Sequence, residues 1–223
     1  MPHQEVINLI TEQPNVQGGI AGWRMPQGIW QNVGGVTLDA NNRKSFSVSA
    51  GHGVIVNNPT GASVNLLSVF EHGDAEIHVE FNVPEGSNSG IYLQGRYEVQ
   101  IFDSWNVLQP KYSDCGGIYE RWADNHGYEG HRPMVNASRQ PGEWQSFDII
   151  FQAPQFDAKG HKIANARIVR VLHNGVMVQQ GVEVTGPTRS AHFEDERPQG
   201  PLMLQGDHGP VAFRNIRIKP ISL

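Results

Sequence analysis

The chain has 223 residues and a net charge of −5, and its 17 Lys and Arg are spread without a run of five. That pattern excludes the electrostatic footprint of a nucleic-acid groove, and no stretch approaches the roughly 20 apolar residues that cross a bilayer. With Cys115 as the one cysteine no intramolecular disulfide can form. Flanked by Asp114, Gly116 and Gly117, with no His or Lys to lower its pKa, this thiol reads as structural.

The 25 glycines and 14 prolines punctuate short runs rich in Val, Ile and Phe, and no window holds helical periodicity beyond about two turns, the pattern of an all-β sandwich or barrel. Residues 1–20 show neither the basic start nor the apolar run of a signal peptide, so the chain reads as soluble, with prior processing left open. After an opening strand or arm, strands are expected at 53–56 and 62–70. Residues 75–81 alternate cleanly, with Ala75, Ile77, Val79 and Phe81 inward and Glu76, His78 and Glu80 outward, and stop at the turn Pro84-Glu85-Gly86-Ser87.

Residues 90–103 form the most informative stretch. Ile91, Leu93, Tyr97, Val99 and Ile101 are expected in a core, while Tyr92, Gln94, Arg96, Glu98 and Gln100 project from the opposite side as a working surface. A three-residue hairpin loop of Gly95, Arg96 and Tyr97 pairs Gln94 with Glu98 and Tyr92 with Gln100, keeping the polar residues together. Gly95 or its neighbour is then left-handed; a two-residue loop would mix the faces.

From about 104 to 141 the alternation breaks into a loop-rich insertion. Trp105, Tyr112, Tyr119, Trp122, His126, Tyr128, His131 and Arg132 lie there among glycines, as in a ligand rim. Strands resume at 144–151, 166–172 and 176–180, with His173-Asn174-Gly175 as a hairpin turn, and 202–205 and 211–218 close the fold. About a dozen strands in one domain, 1–223, suit two antiparallel sheets packed face to face, one curved enough to cradle a ligand.

Several phrases resemble one family in order along residues 70–218. They are Gly73-Asp74-Ala75-Glu76-Ile77-His78-Val79-Glu80-Phe81, Gly86-Ser87-Asn88-Ser89-Gly90-Ile91-Tyr92-Leu93, Tyr97-Glu98-Val99-Gln100-Ile101-Phe102-Asp103-Ser104, Cys115-Gly116-Gly117-Ile118-Tyr119, Pro141-Gly142-Glu143-Trp144-Gln145, Leu172-His173-Asn174-Gly175 and Pro201-Leu202-Met203-Leu204-Gln205-Gly206-Asp207-His208-Gly209. The family is the bacterial 3-keto-disaccharide hydrolases. The resemblance implies a concanavalin A-like jelly-roll sandwich of two antiparallel sheets. It further implies a carbohydrate-active enzyme of hydrolase or lyase type acting on 3-keto-glycosides, and an oxidoreductase partner that installs the ketone. Because the family is often exported, it implies a periplasmic or extracellular mature form, with the cytoplasm left open. The N-terminal third matches only through Gly22-Trp23 and Gly53-Val54-Ile55, and the insertion at 122–132 is particular to this chain. A weaker resemblance links Glu98-Val99-Gln100-Ile101-Phe102-Asp103 to the E-x-D-x-x-E strand of laminarinase-type glycosidases, with Gln and Asp replacing the second and third acids.

Conventional glycoside hydrolysis needs two carboxyl groups about 5 to 5.5 Å apart for retention or about 6.5 to 9.5 Å for inversion. Glu98 and Asp103 lie roughly 16 Å apart along an extended strand at about 3.3 Å per residue. A 3-keto sugar offers another route, because the ketone acidifies the proton at C2. Its loss lets the C1 substituent leave before water adds. In that scheme Glu98 or Glu80 takes the proton, Arg96 or a metal stabilises the enolate oxygen, and His208 or Asp103 protonates the leaving oxygen. Tyr92, Gln94, Gln100 and Gln205 are candidate substrate contacts beside Arg96, with Trp105, Tyr119 and Trp122 as stacking platforms.

Each candidate has a plain alternative. Glu80 and His78 suit a solvated outer face, Arg96 a turn charge, Asp103 a turn cap, His208 a turn residue, and the aromatics ordinary packing. No cofactor is assigned and no H-E-x-x-H spacing occurs, so a divalent metal, with calcium as a second option, stays open with no ligands assigned. A non-catalytic lectin-like module and a conventional glycoside hydrolase are the rival functions.

Overall fold

The computed structural model describes residues 5–9 and 20–223; most of the expected opening arm, 1–4 and 10–19, lies outside the described residues. The strands are β1 (Ile7–Asn8), β2 (Gln31–Leu38), β3 (Phe46–Val56), β4 (Leu66–His72), β5 (Ala75–Asn82), β6 (Asn88–Leu93), β7 (Tyr97–Phe102), β8 (Arg121–Ala123), β9 (His126–Tyr128), β10 (Gln145–Gln152), β11 (Gln155–Phe156), β12 (Lys162–Ala164), β13 (Ala166–His173), β14 (Val176–Val184), β15 (Gly200–Leu204) and β16 (Ala212–Pro220). No α-helix occurs among the described residues.

Alternation decides how these strands stack. A larger antiparallel sheet runs β14-β13-β10-β5-β16-β3-β2, with β1 also on β16, and a four-stranded sheet runs β4-β15-β6-β7. Between them lies one core. Ile77, Val79 and Phe81 of β5 and Phe147, Ile149 and Phe151 of β10 meet Ile91, Leu93, Tyr97, Val99 and Ile101 of β6 and β7. The Phe81 and Phe147 rings sit 4.8 Å apart between centroids, a separation typical of favourable aromatic pairs. This is the expected jelly-roll sandwich. Cys115 is buried, and burial pushes its thiol up to about 12, so it is protonated at neutral pH.

The β6–β7 hairpin departs from the expected register by two residues. Tyr92 pairs with Glu98, Leu93 with Tyr97 and Gly90 with Gln100, so the loop is Gln94, Gly95 and Arg96. Gln94 and Gly95 both take positive φ, 53° and 67°, and the Arg96 N–H donates to Leu93 O at 2.9 Å. A shift of two leaves every side chain on its expected face, because the strand period is two.

Three elements were not anticipated, the β11–β12 pair among them. The strand β2 lies in the Gly- and Asn-rich N-terminal third. Within the loop-rich insertion, β8 and β9 form a short hairpin turned by Asp124 and Asn125, both at positive φ (49° and 61°). The His173-Asn174-Gly175 turn is as expected, with His173 opposite Val176.

Candidate active site

The outward face of the smaller sheet is polar and yet buried. Its side chains fall into rows set by strand register. Met203, Tyr92 and Glu98 are successive partners on β15, β6 and β7. Residues 116–119 add an edge to β7, through the bridge of Ile118 to Val99 and a hydrogen bond from Tyr119 N to Glu98 O at 3.2 Å. Tyr119 thereby joins that row beside Glu98. In the next row Gln205 N donates to Gly90 O at 2.9 Å, and Gly90 faces Gln100. Gly90 has no side chain, and the Glu98 carboxyl occupies the space so left: a Cβ on Gly90 would overlap Glu98 Oε1.

These rows floor a cleft of about 220 Å³ lined by Asn88, Tyr92, Glu98, Gln100, Tyr119, Arg189, Ser190, Gln205 and His208. Glu98 is 3% exposed. Burial pushes its pKa up to about 8, Tyr92 works against that by donating its hydroxyl to Oε2 at 2.7 Å, and nearby Asp207 adds to the rise. Burial likewise drives the Tyr92 hydroxyl well above its ordinary range, with Glu98 adding to it, so Tyr92 is a fixed donor. Asp207 Oδ1 lies 2.6 Å from His208 Nδ1; a proton held there leaves Nε2 to meet substrate. Three buried amide oxygens, Asn88 Oδ1, Gln100 Oε1 and Gln205 Oε1, have no hydrogen-bond partner among the described residues. All three residues line this one cleft, where hydroxyl donors of a ligand would satisfy them.

A strap of residues 185–199 crosses this face and brings Arg189 and Ser190 to the cleft. Neither residue was anticipated, since the strap carries no periodicity. Two other candidates hold it in place. Arg96, expected on substrate or enolate, instead donates to the carbonyl of Asp195, to Asp195 Oδ1 at 2.7 Å and to Gln94 O at 2.8 Å, because the turn points it under the strap. Gln94 donates through Nε2 to His72 O and Pro198 O, both at 3.1 Å. Thr188 Oγ1 accepts from Glu98 N–H at 3.1 Å, and His192 N donates to Gly95 O at 2.9 Å.

Glu80 lies on the outer face of the larger sheet, with the core between it and Glu98. Partial burial pushes its pKa up, but hydrogen bonds from Asn215 and Arg214 (2.7 and 2.6 Å) outweigh this and hold it below the usual range. Asp103 caps a turn, accepting Gly86 N at 2.9 Å and Trp105 N at 3.4 Å, because β7 ends at Phe102 and the strand period puts residue 103 out of phase with Glu98 and Gln100. Trp105 is exposed at the same turn, outside the cleft. Trp122 stands on the β8–β9 hairpin beside the cleft, under Arg189. The structure therefore brings together Tyr92, Glu98, Gln100, Tyr119, Gln205 and His208, and sets Glu80, Asp103, Gln94, Arg96, Trp105 and Trp122 elsewhere. Among the described residues no three His, Cys, Asp or Glu side chains converge to hold a metal.

The model of the 3-keto-alpha-glucoside-1,2-lyase-like domain matches residues 18–219. This chain belongs to that family. Among solved structures, a protein of Parabacteroides distasonis ATCC 8503 provisionally named a glycosyl hydrolase is 27% identical to this lyase-like domain. The match covers 97% of this chain and 84% of that one, with a TM-score of 0.67. A second from the same organism, also provisionally named a glycosyl hydrolase, is 20% identical over 86% of this chain and 99% of its own, with a TM-score of 0.53. The latter likeness speaks for the fold alone. No curated protein sequence matches the chain. The lyase-like domain is thus a carbohydrate-active domain of glycosyl hydrolase-like type on a concanavalin A-like jelly roll.

Proposed function

We propose that this protein cleaves 3-keto-glycosides, 3-keto-disaccharides among them, by elimination across C1 and C2, with Glu98 as the base. One observation carries the reading: among the described residues Glu98 is the only carboxylate lining the cleft, and burial has moved its pKa up to about 8. Two-carboxylate hydrolysis lacks its second acid there, whereas proton abstraction beside a ketone needs a single base tuned near neutral pH.

The ionised Glu98 takes the proton from C2, and the C2–H electron pair forms the C2=C3 bond of an enolate whose charge rests on the C3 oxygen. Arg189, the cation of the cleft, stabilises that charge. The enolate then reforms the ketone, its electrons make the C1=C2 bond, and the C1–O bond breaks. His208 in its imidazolium form, its Nδ1–H held by Asp207, gives its Nε2 proton to the leaving oxygen and regains a proton from the water that adds next. Water adds to C1 and a proton returns to C2, giving the free 3-keto sugar. Asn88, Gln100 and Gln205 accept sugar hydroxyls, and Tyr119 flanks the ring. An oxidoreductase acting on the C3 hydroxyl would supply the substrate.

The test is incubation of purified protein with a 3-keto-disaccharide and with its unoxidised parent, following free sugar. Release from the keto form alone supports the reading. Binding of both sugars without turnover of either would overturn it in favour of a lectin-like module.

A further inference from the structure

Beside the Glu98 cleft lies a second groove of about 510 Å³, between the β8–β9 hairpin and the strap, and the two share Arg189 and Ser190 as a common wall. We propose that this groove is the leaving-group subsite and takes the second pyranose ring of a disaccharide, with Trp122 as its platform. The inference rests on the reading of the cleft as the site of the keto sugar.

Size is the first argument. At about 220 Å³ the cleft falls below the roughly 300 Å³ at which ligand pockets begin, so it suits one ring and leaves the remainder of a disaccharide to the adjoining groove. Chemistry is the second. A pyranose ring has an apolar face edged by hydroxyls, and the groove answers both: Trp122 and Phe193 supply aromatic surface, while Arg121, Arg189, Ser190 and Glu194 supply polar groups. Trp122 is 44% exposed, so although Arg189 covers one face of its ring, the rest stays open to a ligand.

Construction is the third argument. The Arg189 guanidinium lies 3.9 Å from the Trp122 ring centroid, a cation–π contact that fixes ring and cation together. Behind it, Arg189 Nη1 lies 3.6 Å from the carboxylate of Glu120, which is itself buried. Gly127 of β9 leaves the space for that carboxylate, since a Cβ there would overlap it. The hairpin that carries Trp122 is thus built around the anchor of the residue that divides the two pockets.

The test compares KM for the 3-keto form of an α-linked glucose disaccharide, for methyl 3-keto-α-glucoside and for phenyl 3-keto-α-glucoside. In wild type the disaccharide is expected to hold about a tenfold KM advantage over the methyl glycoside, an amount that one aromatic contact of about 1.4 kcal/mol supplies. That advantage collapses toward one in Trp122→Ala and returns in Trp122→Phe. An advantage unchanged in Trp122→Ala would overturn the proposal, as would one seen with the phenyl but not the disaccharide substrate, which marks an aromatic aglycone site. If wild type cleaves none of the three, the catalytic reading fails by itself. The subsite is then judged by the Trp122 indole N–H resonance, assigned by its loss in Trp122→Phe. A shift with the unoxidised disaccharide but not with methyl α-glucoside supports the subsite, and no shift with either overturns it.

Discussion

At Glu98 two forces oppose each other: burial disfavours the carboxylate while the Tyr92 hydroxyl stabilises it, and burial wins. The free enzyme therefore holds this residue mostly protonated at neutral pH, and kcat/KM should rise with pH along a limb of apparent pKa about 8. A limb that falls through the same range would make Glu98 an acid instead. Glu98→Gln keeps an acceptor for Tyr92 but has no basicity, and should lower kcat by about 10²- to 10⁴-fold while circular dichroism stays that of the wild type. Gly90→Ala probes the same carboxyl from below. Its methyl group must displace Glu98, so activity should drop by at least tenfold, with a loss of about 1–3 kcal/mol from overpacking, read by urea denaturation. Wild-type rates in that variant would show that the carboxyl's position does not matter.

The hairpin of β6 and β7 and the strap above it act as one device, since residues on the turn hold the strap and the strap delivers Arg189. Arg96→Ala removes the bonds to Asp195, which the half-exposed Asp195 can recover from water, and the buried bond to Gln94 O, which is not recovered, so the stability cost is about 1–3 kcal/mol. The larger effect is expected in the strap: trypsin should cut within 185–199 far faster than in wild type, and kcat should fall as Arg189 loses its position. Equal cleavage of both proteins would separate the turn from the strap. At this scale the hairpin was legible because alternation over Tyr92, Glu98 and Gln100 assigns faces without fixing register. Its register was not, because it depends on Gln94, a residue with no marked preference for positive φ, sharing the turn with Gly95. The strap and the three-residue strands β8 and β9 left no periodic trace, so Arg189 went unseen. Asp103 misled for a different reason: the E-x-D-x-x-E likeness singled it out, although alternation places it on the side opposite Glu98 and Gln100, one residue past the end of β7.

Across the whole molecule the ionisation of Glu98 couples to folding. The folded pKa of about 8 stands above the ordinary 4.5, so between those pH values the folded protein binds a proton that the unfolded chain has released. The contribution of this group is present below about pH 4.5 and is lost as pH rises to 8, on the order of a few kcal/mol. Glu98→Gln escapes the loss. Its stability relative to wild type should therefore grow between pH 5 and pH 9 in urea denaturation; a constant difference would mean that burial does not perturb the carboxyl. The sandwich itself was readable from alternation, glycine turns and family phrases. Which polar faces become a cleft was not, because Glu80 and Glu98 occupy equivalent outward positions on strands of different sheets, and only the covering loops distinguish them.

The most direct test of the account is a 3-keto-disaccharide carrying deuterium at C2. Wild type should cleave it with a primary isotope effect and lose the deuterium to solvent, while Glu98→Gln should neither exchange nor cleave. Cleavage that shows no isotope effect and leaves the C2 deuterium fully in place would contradict elimination and point to direct displacement at C1.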